Sequence, residues 1–237
     1  MKWLLWKDYR HNRLIVLAGL AILLAPYLIG VCVGCGERWI DWGRPYPPTQ
    51  WTLIFTGAAI YSLMISQLTI ALIGGNALAG ERVDRTAEFL HVLPVTRRRL
   101  VASKLLLAFL IAVVIWLNAP VVWYLAQFVA PQHGPGIQDL LMVFRNVAIT
   151  GLTFFCVAWF LSSFITSPTA AICGGLISPL LILLGFQFMS WLVFLSTSRW
   201  PNDDGRIIEF WYRGICLTLA PVCFAVGTWH YLRRVEP

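Results

Sequence analysis

Five long stretches without a charged side chain limit what this sequence can fold into. They lack Asp, Glu, Lys and Arg, and they cover residues 14–36, 45–80, 105–138, 146–198 and 214–232. A helix of about 20 apolar residues crosses the roughly 30 Å hydrocarbon layer of a membrane. Each stretch therefore has room for one span, except that residues 146–198 have room for two. Ser167-Pro168 favours a turn near the middle of that longest stretch.

The sequence therefore predicts an all-α, polytopic membrane protein whose six transmembrane helices form a single domain over residues 1–237. Helices are expected because a backbone in contact with lipid must satisfy its own hydrogen bonds, and the apolar runs lack the alternation of a β-barrel. The first run is too long for a signal peptide and precedes no clear Ala-x-Ala cleavage site, so we interpret it as a retained span. The expected spans are residues 14–35, 52–75, 101–129, 140–166, 169–195 and 209–232.

Charge is scarce and unevenly placed. Only 12% of the residues are charged, against about 25% in a soluble domain, so the chain cannot cover an ordinary water-facing surface. With six spans, both termini and the segment between the second and third spans lie on one side, which carries twelve of the eighteen Lys and Arg residues. The positive-inside rule places that side in the cytoplasm, as expected for a multi-pass protein of the inner membrane. The net charge of +7 thus reports topology and not binding to nucleic acid.

Two segments at the predicted membrane surfaces contain aromatic residues. Residues 1–13 mix basic residues with Trp and Tyr, which is typical of a short helix lying at the cytoplasmic interface; a basic flank that only sets topology is the alternative. Residues 196–213 form an outer loop with a turn followed by an aromatic stretch. That loop is expected either to dip into the outer leaflet as a gate or to lie at the interface.

The cytoplasmic loop over residues 76–100 is the longest hydrophilic region. Apolar residues interleave with charges over residues 86–93, and Pro94 follows them. This pattern predicts a short amphipathic helix that ends at the proline. We interpret it as a docking element with apolar anchors among charges; the alternative is a helix that rests on lipid headgroups.

Residues 81–104 resemble the segment after the second span in the membrane subunits of type-2 ABC exporters. In that family a glutamate precedes Gly-Thr, an acidic residue, apolar residues, Leu-Pro-Val-Ser-Arg and a lysine in the next helix. The matching residues, in order and spacing, are Glu81, Thr86, Glu88, Phe89, Leu90, Leu93-Pro94-Val95-Thr96-Arg97 and Lys104. Arg85 stands where glycine is usual, and Thr96 replaces serine; the arginine is a departure that alters the turn before the short helix.

The resemblance implies a division of labour between subunits. A separate nucleotide-binding ATPase subunit is expected to bind ATP and Mg in the cytoplasm, and two permease subunits, as a homodimer or heterodimer in the lipid bilayer, are expected to form the export path. The sequence agrees, because it contains no Gly-x-x-x-x-Gly-Lys-[Ser/Thr] phosphate loop. No catalytic residue, cofactor or metal site is expected in this chain.

The resemblance also implies which residues couple the chain to the ATPase. Glutamates and arginines of the loop would make charged contacts, Phe89 and Leu93 would fill a cleft of the ATPase, and Pro94 would end the coupling helix. The expected coupling residues are Glu81, Arg85, Thr86, Glu88, Phe89, Leu90, Leu93, Pro94, Arg97 and Arg98.

Polar side chains within the spans are few. Tyr61, Gln67, Asn118 and Gln187 are our candidates for residues that line a pathway, and hydrogen bonding between helices is the alternative role. Mid-membrane carboxylates, which proton- or sodium-coupled transporters normally need, are lacking. The pattern favours a hydrophobic or amphipathic solute that is moved by energy supplied from outside the membrane, and it fits an apolar structural bundle equally well.

Cysteine and histidine give no metal-binding pattern. Cys32 and Cys35 are separated by two residues, which allows a disulfide or two free thiols, but no histidine or second cysteine pair lies nearby to complete a zinc site. The four histidines are scattered along the chain.

Two other classes of function compete with a permease. An intramembrane enzyme needs a catalytic set within the bilayer, and the spans offer none. The alternative to a permease is an ATP-independent structural or regulatory membrane protein, or a secondary transporter. Only the structured cytoplasmic loop speaks against that alternative.

Single cysteines introduced on a cysteine-free background test the predicted topology. A membrane-impermeant maleimide added to intact cells should label Arg44→Cys and should fail to label Thr86→Cys until the cells are permeabilised, because the two positions lie on opposite sides. Labelling of Thr86→Cys in intact cells would overturn the orientation.

Overall fold

The computed structural model describes residues 2–40, 48–83, 96–129, 137–197 and 206–233. Over these ranges the chain is helical apart from Thr96 and residues 165–167, so the all-α prediction is confirmed for the described part of the chain. The helices are α1 (Lys2–Ile40), α2 (Pro48–Val83), α3 (Arg97–Val129), α4 (Ile137–Phe164), α5 (Pro168–Thr197) and α6 (Arg206–Arg233).

Five of these helices are long and apolar enough to cross a membrane within the described residues, namely α1, α2, α3, α4 and α6. They correspond to five of the six predicted spans. Helix α5 is apolar over Pro168–Ile182, a segment shorter than a full span. The span expected over residues 169–195 therefore stays a prediction.

Residues 2–13 differ from the predicted arrangement. The sequence suggests a separate interfacial helix before the first span, but the structure has one continuous helix from Lys2 to Ile40. No helix-breaking residue stands near position 13, since the proline inside α1 is Pro26. Residues 2–13 are thus helical and continuous with the first span, and their placement at the cytoplasmic interface stays a prediction.

Helix α2 lies at the centre of the bundle. It packs against α1, α3, α4 and α5, while α6 packs mainly against α4. Leu63, Ile73 and Leu78 of α2 join Trp159 of α4 in the apolar core, and each is at least 97% buried. The central helix runs to Val83, and so extends into the region predicted as a loop over residues 76–100; α3 begins at Arg97 in the same region.

The turn predicted at Ser167-Pro168 is confirmed, and it separates α4 from α5. Ser167 Oγ accepts the Ala170 N–H at 3.4 Å, as an N-cap residue does. Pro168 occupies the first helical position, where its missing N–H leaves no bond unmade. The two helices that follow each other here also pack together.

Glycines bring α2 close to α4 and α5. A Cβ atom added at Gly75 would lie 2.9 Å from the backbone nitrogen of Ile172 and 3.0 Å from its Cα, and one added at Gly74 would lie 2.8 Å from the carbonyl oxygen of Phe155. On the facing side, a Cβ at Gly175 would lie 2.9 Å from Ala158 Cα. Small residues at such crossings let helix backbones approach within a membrane.

Alanine in place of a glycine at these close crossings should destabilise the protein more than alanine in place of an uncrowded glycine. Gly75→Ala forces a backbone to shift and should lower the stability of the purified protein by about 1–3 kcal/mol, seen as a lower midpoint in thermal unfolding. Gly57→Ala is the matched control in the same helix, because no atom lies within 4 Å of the added Cβ. Equal midpoints for the two variants would contradict the close crossing.

Candidate functional site

Four charged side chains meet where the predicted coupling loop joins the bundle. Lys7 and Asp8 come from the second turn of α1, Glu81 from the last turn of α2, and Lys104 from the second turn of α3. We call these four residues the charge cluster. Because α2 ends and α3 begins on either side of residues 84–95, the cluster lies at the base of the loop.

Glu81 is the centre of the charge cluster. Its Oε1 atom lies 2.6 Å from Lys7 Nζ and 3.0 Å from Lys104 Nζ. A single carboxylate oxygen therefore joins α1, α2 and α3. The Glu81 side chain is 5% exposed, the Lys104 side chain 5% and the Lys7 side chain 23%, so water reaches Lys7 more readily than Lys104.

Asp8 supplies the second carboxylate. Its Oδ2 accepts a hydrogen bond from Ser103 Oγ at 2.6 Å, and its Oδ1 lies 3.7 Å from Lys7 Nζ and 3.9 Å from Lys104 Nζ. The Asp8 side chain is 3% exposed. Asp8 thus binds α1 to α3 directly, beside the bonds that pass through Glu81.

Further hydrogen bonds extend the contacts around the charge cluster. Lys104 Nζ donates to the Ala77 carbonyl at 2.5 Å, which adds a second bond between α2 and α3. Asn76 Nδ2 donates to Asn12 Oδ1 at 2.8 Å, one turn from Asp8 along α1. Arg82 donates to the Ser163 carbonyl at 2.6 Å and thereby ties the end of α2 to the end of α4.

The charges within the cluster balance, with two lysines against two carboxylates. Burying an ion costs several kcal/mol, and close opposite charges with further hydrogen bonds offset that cost. Every member of the cluster has an opposite charge within 4 Å. Removal of any one member therefore leaves a buried charge without its full complement.

The predicted coupling residues divide into two groups. Arg85, Thr86, Glu88, Phe89, Leu90, Leu93 and Pro94 lie outside the described residues. Of the remaining three, Arg98 is exposed and Arg97 half-buried at the start of α3, both accessible to a partner. Glu81 is 4% exposed and bonds to lysines of the same chain, a placement suited to positioning the loop and not to contacting a surface.

Two of the four predicted pathway residues lie in the seam between helices. Asn118 Nδ2 donates to Tyr27 OH at 2.8 Å and to Ser62 Oγ at 3.2 Å, linking α3 to α1 and α2. Gln67 Nε2 donates to the Leu63 carbonyl at 2.7 Å, and Gln67 Oε1 accepts from Trp116 Nε1 at 3.5 Å. Both amides therefore make hydrogen bonds between helices, which is the alternative role expected for them.

The other two pathway candidates face outwards. Tyr61 is 65% exposed and lines an apolar groove of about 410 Å³ between α1 and α2, together with Pro26 and Ile54. Gln187 is exposed on α5. The four candidates therefore do not converge on one cavity in this chain, and a pathway built from them would need further surfaces.

The cysteines predicted either to pair or to stay free are free. Cys32 and Cys35 are both exposed thiols near the end of α1. Residues three positions apart lie on the same face of a helix, so the two free thiols are neighbours on the surface of α1.

Sequence reasoning missed Lys7, Asp8 and Ser103 as members of a site. Glu81 and Lys104 stand at the borders of uncharged stretches, directly after residue 80 and directly before residue 105. Charges that border a span sit at a helix end, where neighbouring helices can pair with them. That border position is the signal in the sequence that points to the cluster.

A family model described as "ABC-2 family transporter protein" matches residues 5–185. The match begins before the charge cluster and runs through α1 to α4 and into α5. No curated protein and no solved structure matches the chain.

Loss of one cluster lysine should destabilise the bundle. Lys104→Met leaves Glu81 and Asp8 facing Lys7 alone and should lower the free energy of unfolding by about 3–5 kcal/mol, measured by thermal or denaturant unfolding in detergent. Arg99→Met is the matched control, because it removes a cation from an exposed position of the same helix. Similar stabilities for the two variants would show that the cluster holds little of the fold together.

Proposed function

The chain belongs to the ABC-2 family of transporter proteins, and from that premise we propose that it is the permease subunit of an exporter driven by a separate ATPase. The family match covers about three quarters of the chain, residues 5–185, and this observation carries the proposal. It confirms the resemblance found in the sequence. The chain is thus a multi-pass membrane protein of a transporter family, with the apolar helices that such a role requires.

The proposed topology has six spans in the inner membrane, with both termini in the cytoplasm. Helix α5 is the sixth span: it is helical over Pro168–Thr197, which at about 1.5 Å per residue exceeds the thickness of the hydrocarbon layer. The Lys and Arg bias supports the orientation.

The proposed coupling runs through residues 84–95. ATP and Mg bind to the partner subunit, and its movement acts on the loop that joins α2 to α3. Both helices meet at Glu81 and Lys104, 3.0 Å apart, so a force on the loop acts on the two helices together. In this scheme Glu81 positions the loop, and the accessible Arg97 and Arg98 contact the ATPase.

Two permease subunits, alike or different, would enclose the path. One chain places Tyr61 and Gln187 on its outer surface, where a second permease subunit would have to face them to build a polar route. The apolar character of the remaining helix surfaces suits a hydrophobic or amphipathic solute.

A change in the loop should release the ATPase. Phe89→Asp puts a carboxylate where the proposal has an apolar anchor, and it should abolish co-purification of the nucleotide-hydrolysing subunit from native membranes while the permease still inserts. Thr166→Asp is the matched control, since it adds one carboxylate at the exposed α4–α5 turn, which the proposed topology puts on the same side. Retention of the ATPase by Phe89→Asp, or its loss from both variants, would contradict the assignment of the loop.

A further inference from the structure

The charge cluster can be divided between helices in one electrically neutral way. Lys7 and Asp8 lie on α1 and sum to zero, and Glu81 on α2 and Lys104 on α3 also sum to zero. Separating α2 from the rest would strand Glu81 as one negative charge, and separating α3 would strand Lys104 as one positive charge. A stranded charge in a low-dielectric interior is costly. Among the three helices, α1 is therefore the one that can leave without stranding a charge.

The distances within each neutral pair support this division. Lys104 Nζ keeps both Glu81 Oε1 at 3.0 Å and the Ala77 carbonyl at 2.5 Å after α1 has left, so α2 and α3 stay joined. Lys7 Nζ keeps Asp8 Oδ1 at 3.7 Å on the departing helix. The contacts within the cluster that must break are Lys7 to Glu81, Ser103 to Asp8, and the longer ion pair of Lys104 with Asp8 at 3.9 Å.

The exposure of the two lysine side chains also indicates that α1 is the helix that can leave. The Lys7 side chain is 23% exposed and the Lys104 side chain 5%, so water can take over the bond from Lys7 to Glu81 first. Polar contacts further along α1 are neutral, as in Asn76 to Asn12 and Ser62 to the Leu23 carbonyl. Pro26 inside α1 offers a point where the helix bends.

We propose that the charge cluster is a latch that releases the start of α1 from a fixed pair formed by α2 and α3. The latch is closed in this structure. Its use in transport rests on the proposed function: movement of the loop displaces the α2–α3 pair, and the latch decides whether α1 follows or separates.

Two double variants test the latch, because each removes one positive and one negative charge. Lys7→Met with Asp8→Asn leaves the pair of Glu81 and Lys104, which does not involve α1. Asp8→Asn with Lys104→Met leaves Lys7 and Glu81, 2.6 Å apart in the closed latch, which holds α1 to α2. The first variant should free the start of α1, and the second should fasten it.

Labelling of a buried cysteine measures the release in the purified full chain. Leu4 is 5% exposed, one helical turn before Asp8, and Leu4→Cys should react with maleimide at least about tenfold faster in the first double variant than in the second. Leu78→Cys, in the core of α2 and 1% exposed, reports on general unfolding and should stay protected in both. Peptide mass spectrometry assigns the labelled site in the presence of the native thiols.

Equal labelling of Leu4→Cys in the two double variants, with Leu78→Cys protected, would overturn the latch. If the first double variant unfolds, Lys7→Gln alone provides the same comparison, since it removes the bond across helices and should also label faster than the fastened variant. Transport by the complex with its ATPase gives the second readout: the fastened variant should lose transport while the ATPase still co-purifies. Loss of co-purification instead would count against the proposed function and leave the labelling result intact.

Discussion

The bundle depends, at its loop end, on one carboxylate oxygen that two lysines share. Glu81 Oε1 holds Lys7 of α1 at 2.6 Å and Lys104 of α3 at 3.0 Å, and Glu81 itself lies in the last turn of the central helix. Such a contact is a poor way to add stability, because well-packed apolar residues often do as well without the cost of removing charge from water. Its effect is to couple the three helix ends, because the position of each end depends on the positions of the other two.

The contacts of α2 with α4 and α5 are of another kind. Gly74 and Gly75 admit the backbones of α4 and α5, and Arg82 bonds to the Ser163 carbonyl. These contacts carry no balanced set of charges and no alternative partition, so α2, α4 and α5 are suited to move as one unit. The central helix thus has close-packed contacts with α4 and α5 and an ionic contact, which can be divided, with α1 and α3.

The helices were predictable because uncharged stretches of membrane length have few alternatives, and the turn at Ser167-Pro168 was predictable from local chemistry. The charge cluster was not, because its partners are far apart in sequence: Lys7 and Glu81 are separated by 74 positions, and Asp8 and Ser103 by 95. Glu81 was predicted to contact the ATPase because it matches the glutamate of the family pattern, and that pattern carries no information about its lysine partners. Residues 2–13 continue into the first span as one helix, because polarity changes near residue 13 while helix propensity does not. The fold class follows from composition along the chain, and the site follows from packing that composition does not specify.

Distances between spin labels on the helix ends beside the charge cluster test the central claim most directly. Labels at the exposed positions Tyr9 and Arg99 report on α1 against α3, and labels at Val83 and Arg99 report on α2 against α3. The measurement compares the nucleotide-free and ATP-bound complex with the ATPase subunit by electron–electron double resonance, after replacement of the native cysteines. The account predicts that the first distance changes while the second stays constant. A change of the second distance as large as that of the first, or constancy of both in a complex that transports, would contradict it.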